Sequence, residues 1–167
     1  MFARIAVVNR GEAAMRLIHA VRDLNAAAPD GPPIQVIALH TDSEKTAMFV
    51  READVAYNLG PASARPYLDY AVLEKALTET RADAAWVGWG FVAEDPNFAE
   101  LCARISVTFV GPSPEAMRKL GDKIGSKLIA EEVGVPVAPW SRGGVDTLEE
   151  ATAAAAQIGY PLMLKAT

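Results

Sequence analysis

Ile5-Ala6-Val7-Val8-Asn9-Arg10-Gly11-Glu12-Ala13-Ala14-Met15-Arg16 is the stretch from which the rest of the chain is read. A short apolar run stops at Asn9-Arg10-Gly11 and passes directly into a helical pattern. That is how a buried parallel strand hands over to a helix in a wound α/β sheet. Whether the turn grips a phosphate depends on its residues. A dinucleotide fingerprint uses spaced glycines so that backbone touches pyrophosphate and helix packs on strand, and here only Gly11 is present. Glu12 falls in the first helical turn, where its carboxylate suits the positive helix end and repels a phosphate. Asp42, after the next apolar run, comes about ten residues too late for a ribose-binding acid. The turn reads as a sharp corner with a self-capped helix, and a nicotinamide-dependent dehydrogenase is the weakest reading.

Outward from this turn, Ala14, Leu17, Ile18, Val21 and Leu24 recur at helical spacing and form one apolar face. Pro29-Asp30-Gly31-Pro32-Pro33 makes a loop, Ile34 to Leu39 a second buried strand, and His40-Thr41-Asp42-Ser43 closes it. A short helix is predicted over Lys45 to Glu52, a brief strand near Val55 to Tyr57, and a helix from Leu68 to Thr80. Ala84-Ala85-Trp86-Val87 reads as a strand ended by Gly88-Trp89-Gly90. Asp95-Pro96 is a helix start, with Asp95 able to cap and Pro96 pre-set in the first turn. Phe98, Leu101, Cys102 and Ile105 then face inward, and Val107 to Val110 is the next strand. Strands alternating with helices predict a parallel sheet covered on both faces.

Gly111-Pro112-Ser113-Pro114 marks a change of organisation. A short helix opens at Pro114 and ends at Gly121, and Asp122 caps another that runs to Gly134. Asp146 with Glu149, or Thr147 with Glu150, can form a capping box for a helix that Gly159 stops. Leu162-Met163-Leu164-Lys165-Ala166-Thr167 reads as a strand with no following element, which suggests a fragment.

Composition excludes several classes. The chain has 167 residues and a formal net charge of −5, with no basic field for nucleic acid. Arg4 and Arg10 bracket too short an apolar run for a signal peptide, and nothing approaches membrane-spanning length. Cys102 is the single cysteine, so no internal disulfide forms, and His19 and His40 have no metal-ligand spacing. The default compartment is cytoplasmic.

Two lysines stand out. Lys123 occupies the first turn of a helix, an unfavourable end for a cation unless a ligand's negative charge is met there. Lys165, inside an apolar run, must snorkel, pair or bind an anion. Lys127 with Glu131 reads as an exposed charged row. Gly88-Trp89-Gly90-Phe91 allows close approach by a ligand or tucks Trp89 and Phe91 against the core, with Glu94 as a loop carboxylate. His19 reads as a surface or interface residue, His40 as a strand end and Cys102 as inert core.

Taken together, Val8 to Arg16, Gly88-Trp89-Gly90-Phe91 with Glu94, Phe109-Val110-Gly111-Pro112-Ser113-Pro114-Glu115, Gly121-Asp122-Lys123, Gly134-Val135-Pro136-Val137 and Gly159-Tyr160-Pro161-Leu162-Met163-Leu164-Lys165-Ala166 resemble the biotin carboxylase family of ATP-grasp enzymes. The resemblance implies a Rossmann-like parallel sheet, the domain preceding an ATP-grasp, over 1–112, and the entry helices and first strand of a truncated ATP-grasp domain over 113–167. It implies carboxylation of carrier-bound biotin with ATP and bicarbonate through carboxyphosphate. Lys123 and Lys165 would contact ATP, and the region of Arg16 and His19 would lie at a dimer contact. The implied Mg2+ or Mn2+ ligands and the catalytic residues fall outside this fragment, as do the biotin carrier and carboxyltransferase partners. The fragment alone is therefore expected to be inactive. The chain departs from many members in Trp89 for tyrosine, in Trp86-Val87 for Pro-Gly, and in His19 for arginine. The tryptophan form resembles large acyl-CoA carboxylases, including single-chain bacterial ones. The alternatives are another ATP-grasp ligase, which usually lacks the Asn-Arg-Gly-Glu turn, and a non-catalytic assembly module of a larger carboxylase.

Overall fold

The computed structural model describes residues 2–165, and the chain divides into two compact units, 1–114 and 115–167. The first unit is a five-stranded sheet in the order β3-β2-β1-β4-β5. Its strands are β1 (Arg4–Val7), β2 (Gln35–His40), β3 (Val55–Asn58), β4 (Ala84–Trp86) and β5 (Thr108–Val110). Every pairing is parallel, with Ile5 opposite Val36 and Ala84, and Ala6 opposite Ile37 and Ala85.

A two-residue side-chain period sorts the strand residues onto two faces. Ile5, Val7, Val36, Ala38 and Ala84 pack with Ala14, Ile18 and Val21 of α1 (Gly11–Ala27) and with Phe49 and Val50 of α2 (Met48–Glu52). Ala6, Val8, Ile37, Leu39, Ala85 and Val87 pack with Leu73, Ala76 and Leu77 of α3 (Tyr70–Glu79) and with Phe98, Leu101 and Cys102 of α4 (Pro96–Arg104). The sheet is thus covered on both sides, as the alternating pattern predicts. Asp69 caps α3 by accepting from the amides of Ala71 and Val72, and Asp95 caps α4 by accepting from Asn97, each such cap contributing about 1 kcal/mol. Arg104 grips Glu74 with two bonds of 2.9 Å and ties α4 to α3.

Two local expectations change. Leu24 is 59% exposed rather than part of the apolar face. With 17 residues, α1 is about 25 Å long, whereas the four residues of β1 span only about 13 Å, so the last helical turn outruns the sheet. The helix predicted over Lys45 to Glu52 is shorter, because a capping box between Thr41 and Glu44 closes a 3-10 turn over Asp42–Glu44 before α2 begins at Met48.

The second unit holds α5 (Pro114–Gly121) from its second residue onward, α6 (Lys123–Glu132) and α7 (Leu148–Ile158). Asp122 caps α6 by accepting from the amides of Ile124 and Gly125. Of the two boxes open at α7, Thr147 with Glu150 forms: the Glu150 amide donates to Thr147 Oγ1 at 3.1 Å, and the Thr147 amide donates to Glu150 Oε2 at 3.3 Å. Residues 162–165 form no strand, contrary to expectation. A strand needs a partner for its amides and carbonyls, and none lies beside these residues among those described; Ala166 and Thr167 fall outside the described residues.

Candidate functional site

In parallel sheets, ligands meet the carboxyl ends of the strands where the strand order reverses. Here the reversal lies between β1 and β4, and a side chain spans it. Asn9, 4% exposed, donates its amide hydrogens to the carbonyls of Val87 at 2.7 Å and Trp89 at 2.8 Å. Its Oδ1 accepts the Arg10 amide at 2.8 Å. One buried carboxamide therefore sews the turn after β1 to the turn after β4. Gly11 takes a left-handed φ of 59° at the corner. The expected self-cap is absent: Arg10, at the N-cap, makes no side-chain cap bond, and Glu12 instead pairs with Arg16 at 3.6 Å. The corner is built to join two loops.

Gly88 is required by its neighbour. A Cβ there would stand 2.6 Å from the outer edge of the Trp86 indole, at a φ of 59° that disfavours any side chain. The turn then directs Val92 into the core and leaves Trp89 58% exposed. Only part of the expected packing occurs, since Phe91 rather than Trp89 finds a partner. Phe91 stacks on Tyr67 with centroids 4.6 Å apart, and the Arg10 guanidinium lies 5.4 Å from its ring centre.

Arg10 Nη1 also pairs with Glu44 Oε1 at 3.3 Å, and Glu44 Oε2 accepts the Thr41 amide at 2.9 Å and the Thr41 hydroxyl at 2.8 Å. Burial opposes the Glu44 charge, but hydrogen bonds from the Thr41 amide and hydroxyl and from Arg10 outweigh it and hold the carboxyl below its ordinary range. The stabilisation from this depressed acid is complete above the unfolded-state pKa and is lost as pH falls through the lower folded-state value. A carboxyl-carbon NMR titration should place the Glu44 midpoint below that of an ordinary glutamate. A midpoint at or above the ordinary value would refute the network's hold on it. Burial, with Glu44 beside it, raises the Tyr67 phenol far above its usual range, so it acts as a donor, to the Leu39 carbonyl at 2.7 Å.

Lys123 is the first residue of α6 and is exposed, making no ion pair among the described residues. Lys165 is also exposed but stands in irregular chain rather than in a strand. Arg16 and His19, three residues apart on α1, share its exposed face. Lys127 departs from the expected charged row: its ammonium lies 5.0 Å from the centre of the Trp140 ring. Glu131 accepts Trp140 Nε1 at 2.9 Å and pairs with Arg142 at 3.5 Å. The sequence does not announce Trp140, because an indole between Pro139 and Ser141 in irregular chain has no periodicity to mark its partners. His40 ends β2 with Nδ1 2.9 Å from the Thr41 carbonyl. Cys102 is buried, and burial pushes its thiol up to about 12, which keeps it protonated and inert. Among the described residues no three acids, histidines or cysteines gather to hold a metal, and no helix is long and apolar enough to cross a membrane.

The fold and these contacts define a parallel α/β scaffold unit whose opening turn is a structural corner, followed by a helical unit on which Lys123 and Lys165 are exposed. The chain belongs to the biotin carboxylase N-terminal domain family, whose description matches residues 1–117. Residues 122–167 match the ATP binding domain of the carbamoyl-phosphate synthase L chain. The chain is 39% identical over 168 aligned positions to biotin carboxylase 1 of Bacillus subtilis, covering 100% of this chain and 36% of that protein. It is 38% identical to the mitochondrial propionyl-CoA carboxylase alpha chain of Homo sapiens, covering 99% of this chain and 22% of that one. A solved biotin carboxylase from Campylobacter jejuni, in a β,γ-ATP complex, superposes with a TM-score of 0.87 at 33% identity, covering 96% of this chain and 34% of its own. The chain thus spans about a third or less of the length of these relatives.

Proposed function

We propose that this chain supplies the N-terminal part of a biotin carboxylase that acts in a biotin-dependent acyl-CoA carboxylase of the cytoplasm. Residues 1–112 would serve as its Rossmann-like domain and 113–167 as the start of its ATP-grasp domain. The observation that carries the reading is the match of two successive family descriptions, in order, across nearly the whole chain. In the reaction, bicarbonate oxygen attacks the γ-phosphorus of ATP, giving ADP and carboxyphosphate. Carboxyphosphate breaks down to carbon dioxide and phosphate, and a biotin ring nitrogen on a carrier domain gives up its proton and takes the carbon dioxide. A carboxyltransferase would then pass the carboxyl group to the acyl-CoA.

Within this scheme Lys123 and Lys165 are assigned to the ATP phosphates. Both are exposed, and a lysine at a helix start has no dipole advantage except toward an anion. Their charge would oppose the negative charge that builds on the transferring phosphoryl group. Divalent metal, when bound with ATP, would neutralise phosphate charge. Arg16 and His19 are assigned to a contact between copies in the complete enzyme.

The test replaces the first 167 residues' counterpart in Bacillus subtilis biotin carboxylase 1 with this chain. The chimera should cleave ATP only with bicarbonate and biotin, and Lys123→Met should raise its KM for ATP roughly tenfold or more, the loss expected for one charge-assisted contact. The unjoined chain should cleave none. A folded chimera whose ATP cleavage ignores biotin would favour another ATP-grasp ligase, the reading that the match of residues 122–167 also admits.

A further inference from the structure

We propose that Glu44 is the hub of a latch that fixes the Gly88–Phe91 turn, and with it the exposed Trp89, in a single position. The turn is flanked by freedom. Gly88 and Gly90 both have positive φ, and Phe91, a bulky residue, is held at a φ of 45°. An aromatic side chain stays in that region only where its surroundings over-determine it. Asn9 restrains the carbonyls at the start of the turn, and Val92, 1% exposed, anchors its end. Between those anchors Phe91 remains 38% exposed, so core burial alone does not place it.

What places it is a closed circuit of four side chains. Phe91 stacks on Tyr67 with an interplanar angle of 18°. The Tyr67 hydroxyl lies 3.3 Å from Glu44 Oε2, Glu44 Oε1 pairs with Arg10 at 3.3 Å, and Arg10 covers the Phe91 ring. Glu44 is in turn fixed by the capping box with Thr41. The carboxylate therefore bears on both groups that clamp Phe91: on the cation through charge, and on the phenol, whose proton goes chiefly to the Leu39 carbonyl at 2.7 Å, through the longer 3.3 Å contact. Neutralising it frees Arg10 from the ring and loosens Tyr67, and the glycines on either side of Trp89 then let the turn move. The latch stands independently of the nucleotide assignment, since its readout is the turn itself.

The test uses the whole chain labelled with fluorotryptophan, the Trp89 resonance being assigned by its loss in Trp89→Phe. In Glu44→Gln, which keeps the shape and one acceptor oxygen for Thr41 but removes the charge and the acceptor facing Arg10, the Trp89 fluorine relaxation rate should fall roughly twofold, as a locally released turn gains fast motion. Trp140 serves as the control and should not change. Arg10→Gln should repeat the effect, and Tyr67→Phe, which keeps the stack, should give a smaller one. High salt should loosen Trp89 in the parent, because the Arg10 side chain is 58% exposed, and should do little in Glu44→Gln. A merely structural Glu44 would not produce that salt difference. Trp89 relaxation that is unchanged in both Glu44→Gln and Arg10→Gln, with the chain folded, overturns the latch.

Discussion

Phe98→Ala is expected to lower the stability of the first unit by about 3–5 kcal/mol, the range for deleting a ring from a core that cannot collapse into the space. Phe98 is 0% exposed and lies on α4 among Leu73, Leu77, Leu101 and Cys102 in the cluster beneath one face of the sheet. Its ring meets Phe109 edge-on at 6.1 Å with an angle of 76°, so the substitution also removes an aromatic pair. The surrounding strands are fixed by parallel ladders on both sides, which limits relaxation into the void. Urea denaturation should show a lower midpoint with an unchanged slope, the sign that stability changed and not the surface exposed. A loss below about 1 kcal/mol would mean that the site collapses freely, contrary to close packing.

Much of this core was legible in the sequence because parallel sheets write it plainly. Ile5 to Val8, Val36 to Leu39 and Ala84 to Val87 are apolar without interruption, as strands buried on both faces must be. Phe98, Leu101 and Cys102 follow helical spacing, and Asp95-Pro96 announces the helix that carries them. The errors share a cause. Leu24 continued a correct period beyond the end of the sheet, and residues 162–165 had a strand's composition without a strand's partner. Period and composition describe one segment, whereas burial and pairing depend on what lies opposite. The aromatic and ionic circuit of Arg10, Glu44, Tyr67 and Phe91 was invisible for the same reason, because its members come from four separate loops and turns. For Lys123 the anomaly was local, a cation at a helix start, and so a single segment was enough to single it out.

Asn9→Leu should destabilise the first unit by about 2–4 kcal/mol, although it replaces a polar side chain with an apolar one of similar size in a buried position. The reason lies in what the carboxamide leaves behind. The bond to the Val87 carbonyl is buried and that to the Trp89 carbonyl partly so. Each acceptor stripped of its donor costs about 1–3 kcal/mol where water cannot replace it. The Arg10 amide also loses its acceptor, Asn9 Oδ1, at the helix end where amides have no partner within the helix. Asn9→Asp distinguishes hydrogen bonding from packing: it keeps the shape and the acceptor for Arg10 but faces two carbonyls with a carboxylate that cannot donate. It should therefore destabilise at least as much as Asn9→Leu at neutral pH, and should recover partly in acid as the carboxyl gains a proton to donate. Urea midpoints at both pH values measure this, and amide exchange across residues 87–91 should speed up in both variants. If Asn9→Asp were as stable as the parent at neutral pH, the two carbonyls would not depend on a donated hydrogen. The corner at Asn9-Arg10-Gly11 would then be held by chain geometry alone, and the join it makes between the ends of β1 and β4 would not explain why an asparagine stands there.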